Sequence, residues 1–101
     1  MPVVFSDSGG HKKRPVIVVC DYGDADLLVA PVTSQAVRSP RDVLVVNWQR
    51  AGLRLPSIVR IEKLATVEKT TVVRKMGRLT PDDWEKGRWV LQQFFADILA
   101  R

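Results

Sequence analysis

Residues 14–20, RPVIVVC, constrain the fold of this chain more than any other stretch. A strand with one face in water alternates apolar and polar side chains, whereas Val16 to Val19 are apolar without a break. Such a strand is covered on both faces and belongs inside a sheet. Pro15 has no N–H to give to a ladder, so it is tolerated only at the strand's start. Arg14 then stands where a loop enters a buried strand, a place from which a cation can serve a site. A chain of 101 residues has room for one core and one domain, residues 1–101. At that size, pairing with a second copy would add stability.

Around this strand the sequence breaks into short apolar pieces separated by turn residues. Residues 1–5 read as the end of a strand, and 6–13, SDSGGHKK, as an exposed basic loop. Residues 21–26 form a turn, and 27–32 a strand that ends in Thr33 and Ser34. Pro31 marks an irregularity, a bulge or a strand end, that would aim Thr33 out of the sheet. A polar connection over 35–42 carries Arg38 and Arg41, and strands are expected over 43–48, 57–64 and 72–76. Gly52 is the pivot of the loop between the first two, 66–70 is a turn, and Gly77 ends the last.

The C-terminal segment reads as a helix. Thr80 is its N-cap, Pro81 occupies the first helical position and Asp83 completes a capping pattern. Trp84, Gly87, Leu91, Phe94, Phe95 and Ile98 fall on one stripe, expected to pack on the sheet. Glycine at position 87 costs about 1 kcal/mol against alanine, which predicts close backbone approach there. The fold class is therefore mainly β with a C-terminal helix, the short strands curving into a small barrel-like sheet.

Composition narrows the function classes. Hydrophobic residues make up 46% and charged residues 27%, ordinary for a globular protein and incompatible with wholesale disorder. The net charge of +5 favours an anionic partner such as nucleic acid. The one cysteine, Cys20, has no internal disulfide partner, suits a reducing compartment and reads as a small core residue. One Cys and one His make no metal cluster, so neither metal nor cofactor is expected. No apolar run is long enough to span a bilayer, and the expectation is a soluble, cytoplasmic protein.

Residues 56–69, PSIVRIEKLATVEK, carry the chemistry. If the strand continues through residue 62, Arg60 and Glu62 stand side by side on one face, about 6.5–7 Å apart. A cation and a base so placed can act on a phosphodiester. The bland alternative is a salt bridge on a solvated face.

Four segments together resemble the MazF/PemK (Kid) family of type II toxins: SGGHKKRPVIVV at 8–19, VAPVTSQ at 29–35, GLRLPSIVRIEKLATVEK at 52–69 and MGRLT at 76–80. The resemblance implies an SH3-like small β-barrel, usually a homodimer. It also implies a metal-independent endoribonuclease that cuts single-stranded RNA at short sequences and is silenced by a cognate antitoxin. Arg14 matches the arginine of the family's RP-V motif, and Thr33 its strand-end threonine. Arg60 matches the arginine of V-R-x-[DE], with Glu62 where some members carry Asp. His11 is the candidate for the loop histidine that some members use. Glu62 or His11 would be the general base. Lys12, Lys13, Ser34, Arg38 and Arg54 are candidate RNA contacts. Two other readings share the barrel: a gyrase-binding toxin of the CcdB type, and a degenerate copy kept for antitoxin binding.

Overall fold

The computed structural model describes residues 2–7 and 14–101, which form seven antiparallel strands and a C-terminal helix. The strands are β1 (Val3–Asp7), β2 (Arg14–Asp21), β3 (Asp26–Thr33), β4 (Asp42–Val45), β5 (Ser57–Arg60), β6 (Ala65–Glu68) and β7 (Val72–Arg78), and the helix is α1 (Pro81–Leu99). Short 3-10 turns at Ile61–Lys63 and Lys69–Thr71 flank β6. The strand order is β4-β5-β3-β2-β1-β7, with β6 also paired to β3. The sheet is small and barrel-like but does not close, since this order ends in β4 and β7.

β2 is an inner strand, as its unbroken apolar run requires. Val16 and Ile17 point to opposite faces and both are buried. Ile17 joins Val4, Ala30, Val32, Val43, Val45, Val59, Ile61 and Leu79 in the main core, over which Trp84, Val90, Leu91 and Phe94 of α1 pack. On the other face Val16, Leu27 and Val29 form a second cluster with Phe5, Val18, Val67 and Val72. Cys20 is exposed instead of buried. The register of β2 against β3 slips between Val18 and Cys20, and the strand leaves the core there.

The bulge is thus on β2 and not at Pro31, which pairs in register with Val16. Pro31 lies where β3 changes its other partner, from β6 at residues 26–29 to β5 at Val32 and Thr33. A residue without an N–H is tolerated at such a junction.

Three further expectations are corrected. The strand expected over 43–48 stops at Val45, because the backbone N–H groups of Val46 and Asn47 donate to the buried carboxylate of Asp83 on α1 instead of to a ladder. The segment 66–70 belongs largely to β6 and is not a turn. On α1, Phe95 and Ile98 are each 44% exposed, and the close contact at Gly87 comes from the ring of Trp84, 3.1 Å from where a Cβ would lie. The N-terminal signals of α1 are as read: Thr80 Oγ1 accepts the N–H of Asp83 at 3.3 Å, with Pro81 following the cap. Among the described residues no helix is long and apolar enough to cross a membrane.

Candidate active site

The candidate residues lie at the start of β2, at the end of β3 and on the last residue of β5, which pairs alongside β3. The β2–β3 register pairs Val16 with Pro31 and Ile17 with Ala30. Continued by two residues, it sets Arg14 beside Thr33, and paired residues share a face. Thr33 also pairs with Ile58, and Arg60 follows two residues later on the same face of β5. Antiparallel pairing puts Arg60 level with Pro31, two residues in from Thr33. Three segments distant in sequence therefore bring Arg14, Thr33 and Arg60 to one face of neighbouring strands.

Arg60 is held in place. Its Nη1 donates to Asp42 Oδ2 at 3.0 Å, across the β4–β5 pair in which the two residues are direct partners. Its Nη2 lies 3.3 Å from Gln35 Oε1. The same amide oxygen accepts from Arg38 Nη2 at 3.0 Å, and the Arg38 backbone N–H donates to Asp42 Oδ2 at 2.8 Å. The Gln35 N–H returns to Thr33 Oγ1 at 3.2 Å, a turn that continues the strand end into this network. Thr33, Gln35, Arg38, Asp42 and Arg60 are one hydrogen-bonded group, with two guanidinium groups on a single amide oxygen. Asp42 is the carboxylate that touches Arg60, and its side chain is fully buried. The exposed members of this group are Gln35 and Arg38.

Glu62 does not share a strand face with Arg60. β5 ends at Arg60 and the chain tightens into the 3-10 turn Ile61–Lys63. Ile61 is fully buried, its N–H donating to the Arg41 carbonyl at 3.2 Å, and this anchors the turn. The Glu62 carboxylate instead lies 3.9 Å from Arg41 Nη1. Arg41 also bonds Asp97 at 2.5 Å and stacks over Phe94, tying this turn to the end of α1. Ser34 and Arg54 are exposed, Ser34 directly after Thr33. His11, Lys12 and Lys13 lie outside the described residues.

Sequence reading missed Gln35 and Asp42. Gln35 sits in the TSQ stretch that carries Thr33, but a glutamine in a polar connection has no distinguishing signal. Asp42 was open to detection only through the β4–β5 register, which pairs it with Arg60. An apolar hollow of about 420 Å³, lined by Phe5, Val18, Leu27 and Val72 among others, contains none of the candidate catalytic residues. Among the described residues no three His, Cys, Asp or Glu side chains come together as metal ligands would.

Residues 2–95 match the sequence family described as PemK-like, MazF-like toxin of type II toxin–antitoxin system. The chain belongs to that family. Its solved structural relatives agree on the fold. A mycobacterial endoribonuclease bound to its cognate antitoxin superposes with a TM-score of 0.79 at 18% identity, covering 93% of this chain and 91% of its own. The Mycobacterium tuberculosis toxin MazF-mt6 gives 0.76 at 22% identity, with 95% and 97% covered. MazF in the MazE–MazF structure from Deinococcus radiodurans gives 0.71 at 17%, with 93% and 89% covered. No curated protein matches the chain. At these identities the structures speak for the MazF fold, and the family match for a MazF-like toxin.

Proposed function

We propose that this MazF-like toxin is a metal-independent, sequence-specific endoribonuclease that cleaves single-stranded RNA. The observation that carries the reading is the anchored Arg60, on the same sheet face as Thr33 of the adjacent strand. Cleavage without a metal requires removal of the 2′-hydroxyl proton, attack of the 2′-oxygen on phosphorus and departure of the 5′-oxygen. The products are a 2′,3′-cyclic phosphate and a 5′-hydroxyl. Negative charge builds on the non-bridging oxygens, and a pre-placed donor there contributes about 3 kcal/mol. Arg60 and Arg14 supply those donors, and Thr33 orients the 2′-hydroxyl or a phosphate oxygen.

Asp42 is too buried to reach a 2′-hydroxyl, so the general base is Glu62 or His11, as the resemblance implies. Lys12, Lys13, Ser34, Arg38 and Arg54 contact the RNA backbone. Single strands are the target because only unstacked bases can be splayed and read. A cognate antitoxin restrains the toxin in the cytoplasm, and the working form is a homodimer. Two of the structural relatives were solved with an antitoxin, which supports that partner.

The test is incubation of purified protein with a long single-stranded RNA in EDTA, with cut sites and end groups mapped. Discrete cuts ending in 5′-hydroxyls are expected. A folded protein that leaves the RNA intact would instead be a protein-binding poison or an inactive relative.

A further inference from the structure

Asp42 opens β4 directly opposite Arg60, and the ion pair between them is nearly dry: the Asp42 side chain is fully buried and that of Arg60 is 15% accessible. Its Oδ2 accepts both Arg60 Nη1 and the Arg38 N–H, while Oδ1 is buried with no partner among the described residues. As a source of stability this is a poor arrangement. A buried pair stabilises little more than a well-packed apolar pair would, and an unpaired buried acceptor works against folding. As a way of orienting a guanidinium it is apt. Asp42 holds Nη1 and Gln35 holds Nη2, so the fork is fixed at two of its three nitrogens.

We propose that Asp42 is the positioning residue for Arg60, fixing the guanidinium before substrate arrives; this rests on the ribonuclease reading of Arg60. The arrangement has an electrostatic consequence. The carboxylate offsets much of the arginine's charge, so it weakens ground-state attraction for a phosphate while keeping the donor aimed at charge that develops later. Removing it should lower turnover without lowering affinity, whereas loss of a residue of purely structural importance lowers both.

The experiment compares full-length wild type with Asp42→Asn. An asparagine oxygen can still accept the Arg38 N–H, and the amide nitrogen takes the place of the unpartnered oxygen. That oxygen meets Arg60 Nη1 as a neutral acceptor, in a bond about half as strong, so the guanidinium is held less firmly. Single-turnover cleavage is measured on an RNA oligonucleotide containing a mapped cut site. Affinity is measured with the same sequence as a 2′-deoxy strand, which cannot be cut. The expected result is a maximal rate about tenfold lower or more, with the 2′-deoxy strand bound as tightly as by wild type or several-fold tighter. A rate within about twofold of wild type overturns the proposal, and so does a parallel loss of rate and affinity.

A second measurement needs no variant. In wild type the Arg60 guanidinium should give separate Nη signals by NMR, because rotation about Cζ–Nε is held. One averaged signal contradicts the positioning role whatever the variant does. Wild-type protein that never cuts RNA removes the ribonuclease reading and the positioning role together. Cutting that survives Asp42→Asn unimpaired removes only the positioning role.

Discussion

Gly52 and Gly77 meet backbone against backbone. A Cβ on Gly52 would lie 2.0 Å from the Met76 carbonyl oxygen, and one on Gly77 would lie 2.4 Å from the Ala51 oxygen. Gly52 belongs to the connection between β4 and β5, at one end of the strand order, and Gly77 to β7 at the other. Their contact brings the two ends of the open sheet together and gives it a barrel-like curvature without a closing ladder.

Gly77→Ala should therefore be costly even though the position is on a strand. The added methyl meets backbone, which cannot rotate away, and overpacking of this kind costs about 1–3 kcal/mol. For a domain of this size that is a melting temperature lower by roughly 4–8 °C per kcal/mol. Gly23→Ala is the comparison, since Gly23 shares the positive φ of Gly52 but has open space around it. It should lose only about 1 kcal/mol, from backbone strain alone. Thermal denaturation of both checks this, and equal losses would contradict the packing explanation.

Asp83 is the second structural fastener. It is 1% exposed and accepts from Val46 N at 3.0 Å and Asn47 N at 2.9 Å, fixing the turn after β4 to the first turn of α1. Asp83→Ala leaves two part-buried backbone donors without their partner, a loss of about 2 kcal/mol. Asp83→Asn retains one acceptor and should lose about half as much. Urea unfolding of the two variants separates these outcomes, and the expected order is wild type, Asn, Ala.

Asp21 offers a test of electrostatics away from the site. The N–H of Gly23 and then the ammonium of Lys69 hold its carboxyl below the ordinary value of 3.8. A carboxylate with a lowered value in the folded state stabilises that state above its unfolded value. The contribution fades as pH falls through the folded value. Asp21→Asn should therefore melt slightly below wild type at neutral pH and low salt, and the two should converge as the pH drops below 3.8. The side chain is exposed, so the difference is small. A gap that widens in acid would contradict the assignment.

The parts of this fold that were legible in the sequence are those governed by local physics. An unbroken Val/Ile run placed β2 inside the sheet, and Thr80, Pro81 and Asp83 marked the start of α1 before any contact was known. What local pattern could not reveal was where a strand stops for a tertiary reason. Val46 extends the apolar run of β4, yet its N–H and that of Asn47 are taken by Asp83 of α1. Ile61 continues the alternation of β5, yet its N–H goes to the Arg41 carbonyl and the chain turns. That second departure is why Glu62 faces Arg41 rather than standing beside Arg60. Arg14, Thr33 and Arg60 were identifiable as individual residues. The Asp42 and Gln35 anchors depend on pairings between segments 18 and 25 residues away from Arg60, which no spacing rule encodes.

The central claim is that Arg60 stabilises charge at a scissile phosphate. Its most direct test is the rate at which wild type and Arg60→Ala cleave one mapped site in single-stranded RNA, in EDTA, with circular dichroism confirming that both are folded. Losing one aligned donor should lower the rate by about 100-fold or more. Growth inhibition in cells should vanish with it. Cleavage by folded Arg60→Ala at the wild-type rate, or toxicity that persists without cleavage, would contradict the account.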